Sequence, residues 1–179
     1  MSNSPFSNDF RLFLPEVIWL EPENLLVAKR ITSGASSSNP RDSWQTYLNA
    51  LGLLAFEQWL RNHLPSQLVT RNTTFIETGG NLNAGEFKCC TIATENLLDE
   101  MVSIPQNAIV KPEMIAHFYV VLEVSEEEQE VTIRGFLSYN QLIEMRNNLK
   151  LPMRDGCFQI PLSLFDIEPN HLLFYNRYL

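Results

Sequence analysis

The stretch that decides the fold runs from Ser43 to Leu64 and reads SWQTYLNALGLLAFEQWLRNHL. Its apolar residues recur at the i, i+3, i+4 and i+7 positions that share one side of a helix, and further leucines widen that apolar surface. A helix this apolar must be buried by the rest of the protein, so the stretch indicates architecture, not chemistry. The polar side chains expected to face water are Gln45, Asn49, Glu57 and Arg61.

The residues on either side set the limits of this helix. Asn39 is a typical N-cap, Pro40 suits the first helical position, and Pro65 cannot continue a helix. We therefore predict a long helix from about Pro40 to His63. The preceding stretch, SGASSSNP, is rich in serine and predicts a flexible loop over residues 33–39.

A shorter helix precedes that loop. Pro22 opens it, and acidic residues in its first turn and basic residues in its last turn complement the helix dipole, so we expect it to end near Ile31. Residues 1–8 are small and polar, which predicts disorder. The stretch FRLFL, residues 10–14, suits a strand or an extended lead-in.

Beyond the long helix, the apolar period changes to two, which is typical of strands. The pattern HFYVVLEV, an acidic turn and EVTIRGFL predict an antiparallel hairpin, and Ser138 is expected to cap a short helix after it. A second hairpin is predicted across the glycine-rich GGNLNAG. Residues 105–115 suit a turn or short helix. The predicted strands are 72–78, 86–94, 101–104, 117–124, 130–137 and one around Phe158.

Helices first and strands afterwards indicate an α+β fold. We expect N-terminal helices, including the long one at about 40–63, to pack on a mainly antiparallel sheet built from about 72–160. A length of 179 residues suits a single domain over 1–179. Strands and helices do not alternate along the chain, which argues against a doubly wound sheet.

Composition excludes several classes of function. Asp and Glu outnumber Lys and Arg by 21 to 13, and a net charge of −8 repels phosphate backbones and anionic lipids. The N-terminus MSNSPFSNDF lacks a signal-peptide pattern, and no apolar run approaches the roughly 18 residues of a membrane helix. Three cysteines, two of them adjacent, suit a reducing compartment. We therefore expect an acidic, soluble, cytoplasmic protein that binds neither nucleic acid nor membrane.

Four blocks carry a family resemblance: TYLNALGLLAFEQWL, GEFKCC, VSIPQNAI, and FYVVLEV followed by VTIRGF. In this order, over roughly Phe10 to Phe136, the chain resembles a cyanobacterial family, domain of unknown function 1822. Members of that family are found near signalling genes, including sigma factors and sensor-type modules. The resemblance thus implies a regulatory or interaction role, and it supplies no catalytic residue.

The cysteines and histidines predict no metal or cofactor site. Cys89 and Cys90 are adjacent in a predicted strand, so their side chains point to opposite faces and do not converge on one ion. They suit small buried residues, or a redox-responsive thiol at whichever of the two faces water. His63, His117 and His171 each lie in a different element, where structural or surface roles are expected.

The remaining polar groups also favour structural interpretations. The run Glu126–Glu128 suits a solvated hairpin tip better than a pair of catalytic acids, and the same holds for Asp99 with Glu100. Ser33 and the serines of 36–38 form a flexible loop or a phosphorylation site. Arg134 either points outward or anchors a carboxylate inside a groove.

The sequence thus predicts a non-enzymatic interaction or regulatory module without catalytic residues. Its protein partner would bind the exposed face of the sheet or the aromatic tail, unless that tail packs into the core; a homodimer through the long helix is a further alternative. The tail residues are Phe174, Tyr175 and Tyr178. The competing hypothesis is an enzyme or small-ligand binder whose pocket lies between the long helix and the sheet. Its convergent residues would be Cys89 or Cys90, together with His117 and Arg134.

Overall fold

The computed structural model describes residues 15–35, 39–95, 97 and 100–175. Over these residues the chain forms a six-stranded sheet with helices on one face and a three-stranded sheet on the other. The predicted α+β class, with N-terminal helices on a mainly antiparallel sheet, is confirmed.

The elements alternate little between strand and helix. The strands are β1 (Glu16–Trp19), β2 (Val69–Asn72), β3 (Gly80–Ala84), β4 (Phe87–Thr94), β5 (Met101–Pro105), β6 (Phe118–Ser125), β7 (Glu130–Ser138), β8 (Met153–Arg154) and β9 (Cys157–Pro161). The helices are α1 (Pro22–Gly34), α2 (Pro40–His63), α3 (Gln106–Val110), α4 (Tyr139–Leu149) and α5 (Pro169–Tyr175), with a 3₁₀ turn at Leu162–Leu164.

The large sheet has the strand order β1-β7-β6-β4-β3-β2, and the small sheet has the order β5-β9-β8. Neighbouring strands are antiparallel except β4 and β6, which run parallel with Cys89 opposite Phe118. A parallel pair needs a crossover connection. Here the crossover contains β5 and α3, and it brings the small sheet to the face opposite α2.

The long helix has the predicted limits. The Asn39 side chain caps it by accepting a hydrogen bond from the Arg41 N–H at 3.1 Å, and Pro40 is its first residue. Leu51, Leu53 and Phe56 are fully buried, because α1 packs on one side of α2 and the sheet packs on the other. The helix is thus an interior element within a single chain.

Two of the four residues predicted to face water on this helix are buried instead. Asn49 is 2% exposed, and its side-chain amide donates to the Ile76 carbonyl oxygen at 2.8 Å. Glu57 is 7% exposed, and its two carboxylate oxygens accept from Arg61 at 2.7 Å and from Arg71 at 2.8 Å. Polar groups are buried where such partners replace water, which the helical period alone does not reveal.

The first helix is longer than predicted. It continues to Gly34, and in this last turn the hydroxyls of Thr32 and Ser33 donate to the carbonyl oxygens of Ala28 and Lys29. The predicted loop over 33–39 is therefore wrong at its start. Residues 36–38 lie outside the described residues, as do the predicted disorder at 1–8 and the predicted strand at 10–14.

The predicted hairpin around the glycine-rich stretch is displaced along the chain. Residues 73–78 form turns instead of a strand, and β3 lies inside the predicted connection, where it pairs with β4. Gly80 belongs to a strand and not to a turn for a steric reason. A Cβ on Gly80 would lie 2.7 Å from Leu53 Cδ1 of α2, so glycine here permits a close approach of helix and strand, not a turn.

The second half of the chain agrees better with its prediction. The β6–β7 hairpin, the strands β5 and β9 and the short helix α3 are confirmed. Ser138 caps α4 through a capping box with Gln141. The sequence interpretation missed β1, β2, β8 and α5. Within the described residues, no helix has the length and apolar character needed to cross a bilayer.

Candidate functional site

The two faces of the large sheet are covered differently. On one face, Leu82, Leu122 and Ile133 pack under α2 in a single core. On the other face, the small sheet and the helices beside it cover Tyr119 and Val121. The small sheet and its helices do not extend to the end of the large sheet that is formed by β1 and the tip of the β6–β7 hairpin. There, the side chains on this face are half-buried or exposed.

Strand register defines this uncovered part. Ile18 of β1 points into the core under α2, so its neighbours Val17 and Trp19 point to the opposite face. Trp19 lies opposite Glu130 of β7, and Val17 lies opposite Thr132. We call the resulting surface the open face. It consists of two cross-strand rows, Trp19-Glu130-Ser125 and Val17-Thr132-Glu123-Thr94.

The most exposed apolar group of the open face is an indole ring. Trp19 is 65% exposed and Val17 is 39% exposed, whereas Ile18 between them is 7% exposed. An isolated exposed apolar side chain is ordinary on a protein surface. A tryptophan and a valine side by side on one strand are different, because tryptophan has the largest apolar surface of any side chain and concentrates at binding hot spots.

A β-bulge places a cation at the border of the open face. Val121 pairs with Gly135 and Leu122 pairs with Ile133, which leaves Arg134 as the extra residue of β7. Its guanidinium lies 3.5 Å from the Glu123 carboxylate, and the two side chains are 33% and 29% exposed. Arg134 thus neither points freely into water nor lies in a deep groove.

The surroundings of the open face are strongly acidic. Segments 15–28 and 120–133 contain no lysine or arginine. Of their acidic residues, Glu123 and Glu130 lie in the rows of the open face and Glu127 and Glu128 are exposed at the hairpin tip, whereas Glu16 and Glu126 contact His63 and Tyr47 on the α2 side. Desolvation raises the pKa of Glu130, and the charge and hydrogen bond of the Glu128 carboxylate raise it further. The contribution of Glu128 has the direction expected for two neighbouring carboxylates that repel one another.

The two adjacent cysteines lie on opposite faces, as predicted. Cys89 belongs to the core under α2, Cys90 belongs to the core on the other face, and both are fully buried. Burial raises the pKa of Cys90 to about 12, against a smaller lowering by Lys88. Burial also raises the pKa of Cys89 well above its usual range. Neither thiol faces water, and both are held in the protonated form.

The other residues of the predicted pocket are not brought together with the cysteines. His117 is exposed at the start of β6, where its Nδ1 accepts a hydrogen bond from the Lys88 N–H at 3.0 Å. Arg134 lies at the bulge and contacts Glu123. The candidate residues of the predicted pocket therefore do not line one common site.

The remaining histidines and acids have local partners. His63 Nδ1 lies 2.9 Å from the Trp59 carbonyl oxygen, and His171 Nδ1 lies 2.9 Å from Asp166 Oδ2. Glu126 accepts a hydrogen bond from the Tyr47 hydroxyl at 2.9 Å. In the described ranges, no three His, Cys, Asp or Glu side chains are grouped so that they could hold a metal ion.

The predicted aromatic tail is described only in part. Helix α5 packs on the sheet, and its Leu172 is 2% exposed in the core under α2. The side chains of Phe174 and Tyr175, and all of Tyr178, lie outside the described residues, as does Asp99.

A cleft of about 860 Å³ lies beside the first half of α2, between the end of α1 and residues 73–77. Most of its lining residues are exposed, and it contains none of the four residues of the predicted pocket. Its polar lining includes Arg30, Asp42, Gln45, Thr46, Thr73 and Glu77.

The burial of the cysteines predicts a thiol-reactivity pattern. At pH 8, we expect Ellman's reagent to modify the half-exposed Cys157 in the folded protein and all three cysteines after unfolding in urea. The physical reason is that a buried thiol with a raised pKa supplies neither access nor thiolate. In the control variant Cys157→Ser, absorbance at 412 nm is expected to rise only on unfolding. A rapid rise with the folded control variant would contradict the assigned burial.

Sequence reasoning missed Trp19. The available signal was the run EVIW between Pro15 and Pro22, which is short and β-prone and is bounded by residues that break regular structure.

The family model of a protein of unknown function, DUF1822, matches residues 18–179. The match continues past Phe136, where the resemblance noted from the sequence ends, and includes α4, the small sheet and α5. No curated protein and no solved structure matches the chain. Because the family model covers nearly the whole chain, this protein belongs to the DUF1822 family.

Proposed function

We propose that this chain is a non-enzymatic interaction module with a regulatory role, and that it binds a protein partner through the open face. The observation that carries the proposal is the 65% exposure of Trp19 at the end of β1, a strand that is paired with β7. The pairing orders the main chain that carries the ring, so a partner that covers the ring does not have to order that segment.

The polar groups of the chain support the same proposal. An active site brings a nucleophile, a base and an orienting group within hydrogen-bond reach of one another. Here the thiols are buried on separate faces, and His117 and Arg134 each contact a different neighbour. The thiols, His117 and Arg134 thus have structural contacts, and the exposed apolar surface remains available for recognition.

The test is affinity capture from source cells with the tagged wild-type chain and the variant Trp19→Ser. We expect the wild-type chain to capture a specific partner. We expect Trp19→Ser to capture at least about tenfold less of that partner, because truncating a hot-spot aromatic side chain costs about 2 kcal/mol or more of binding free energy. Leu68→Ser is the matched control, since Leu68 is 76% exposed and lies before β2, at the opposite edge of the sheet.

The variants also separate binding from folding. Both replaced side chains are mostly in water, so both variants are expected to keep the thermal midpoint of wild type within a few degrees. Equal capture by wild type and Trp19→Ser would contradict the proposal. If Leu68→Ser lost as much partner capture as Trp19→Ser, the partner would not bind specifically at the open face.

A further inference from the structure

We infer that the open face takes a cationic, extended segment of its protein partner, one that carries arginine or lysine side chains. This inference rests on the proposed function and names the chemistry of the partner. Three independent features of the open face support it: its charge, the ring of Trp19 and the position of β1 in the sheet.

The open face and the adjoining hairpin tip carry negative charge. The stretch 120–133 contains Glu127, Glu128 and Glu130 and no lysine or arginine, and Arg134, which follows it, is paired with Glu123. Glu127 and Glu128 are exposed at the hairpin tip, next to the row that contains Trp19. At physiological salt, charges act over about 8 Å, so only a cation that comes close to this surface is stabilised.

The ring of Trp19 is placed to receive such a cation. Indole is the best aromatic partner for a guanidinium or ammonium group. Glu130 lies directly opposite Trp19 on the neighbouring strand, and directly opposed side chains in antiparallel strands are about 5 Å apart at Cβ. One arginine of the partner can therefore stack on the ring and pair with the Glu130 carboxylate at the same time.

The position of β1 favours an extended partner. In the described part of the chain, β1 is the outermost strand of the large sheet and no strand pairs with its outer side. A segment that adds to this edge gains main-chain hydrogen bonds, and every second side chain then lies on the same face as Val17 and Trp19. A segment with a cationic residue at every second position would place those side chains on the face that carries Val17 and Trp19, with Glu130 on the neighbouring strand.

The test is a fluorescence-anisotropy titration of the full chain with a labelled ten-residue peptide that alternates arginine and valine. The control peptide has citrulline in place of arginine, which removes the charge and keeps the shape. We expect the arginine peptide to bind more tightly than the citrulline peptide, and its affinity to fall as sodium chloride is raised from 50 to 300 mM.

Variants locate the binding. Trp19→Ser is expected to weaken arginine-peptide binding about twofold to fivefold, the effect of an exposed cation–π contact. The double variant Glu128→Gln with Glu130→Gln tests the charge while the ring is kept, and an effect of at least twofold is expected. Glu144→Gln, an exposed acid on α4, is the matched control and is expected to leave the affinity unchanged.

Equal binding of the two peptides would overturn the inference, as would a loss with Glu144→Gln as large as that with the open-face variants. In the first case, capture of a partner that still depends on Trp19 would leave the proposed function standing and reject only the cationic chemistry. If partner capture is also independent of Trp19, both the inference and the proposed function fail.

Discussion

Replacing Phe56 with alanine is expected to lower the free energy of unfolding by about 3 to 5 kcal/mol. Phe56 is fully buried in the middle of α2 and stacks on Trp59 with ring centroids 5.3 Å apart. Removing the ring takes away apolar burial and leaves a cavity that α1 and the sheet, both anchored elsewhere, can fill only in part. Urea unfolding followed by circular dichroism measures the loss.

The matched control for this prediction is Leu26→Ala on α1. Leu26 is 58% exposed, so its truncation is expected to change the free energy of unfolding by less than about 1 kcal/mol. A loss for Phe56→Ala as small as that of the control would mean that α2 is not enclosed between α1 and the sheet. The m-value is expected to stay constant across the three proteins, because the same surface unfolds in each.

Replacing Gly80 with alanine is expected to lower the free energy of unfolding by about 1 to 3 kcal/mol, although only one methyl group is added. The new Cβ would lie 2.6 Å from Thr91 Oγ1 and 2.8 Å from Leu53 Cβ. Leu53 Cβ is fixed to the α2 backbone and cannot rotate away, so the helix and β3 have to move apart. The move also strains the hydrogen bond that Thr91 Oγ1 donates to the Gly80 carbonyl oxygen at 3.2 Å.

Gly34→Ala supplies the opposite expectation at the end of α1. A Cβ on Gly34 would meet no heavy atom within 4 Å. Alanine is a better helix former than glycine, so this variant is expected to be as stable as wild type or slightly more stable. Calorimetric midpoints compare the two alanine variants directly. A Gly80→Ala protein as stable as Gly34→Ala would contradict the close approach of α2 to β3.

The parts of the fold that could be predicted are those where local chemistry and packing agree. Asn39, Pro40 and Pro65 define α2 within a few residues, and its high apolar content agrees with its burial. The β6–β7 hairpin combines strong strand propensity with a charged turn, and Ser138 with Gln141 gives α4 a clear start. At each of these places, no contact distant in sequence is needed to fix the element.

The parts that could not be predicted depend on distant contacts. Gly80 looks like a turn residue in the sequence, but its role is to leave room for Leu53 of α2. Glu57 looks like a surface residue on a helical wheel, but Arg71 from β2 reaches it and completes its ion pairs. In both cases the deciding partner lies on another element of the chain.

The open face was predictable only in general terms. An exposed sheet face as a binding surface was expected, and the residues that form it were not. Four-residue strands have too little pattern to reveal their own register, and the exposure of Trp19 depends on how far the small sheet extends across the large one. The residues of the candidate pocket lie apart because both thiols are buried within the two cores, whereas His117 is exposed at the start of β6 and Arg134 lies at the bulge of β7.

The pairing of β1 with β7 has a consequence for how the chain acquires its shape. Glu16 pairs with Ile133, so β1 leaves the ribosome well before its partner strand β7. Contacts between residues so far apart in sequence form late and slow folding, because the entropy of the intervening loop is lost before the contacts stabilise the chain. Before the β6–β7 hairpin has been synthesised, β1 has no strand to pair with. The strand that carries Trp19 therefore stays unpaired during much of translation.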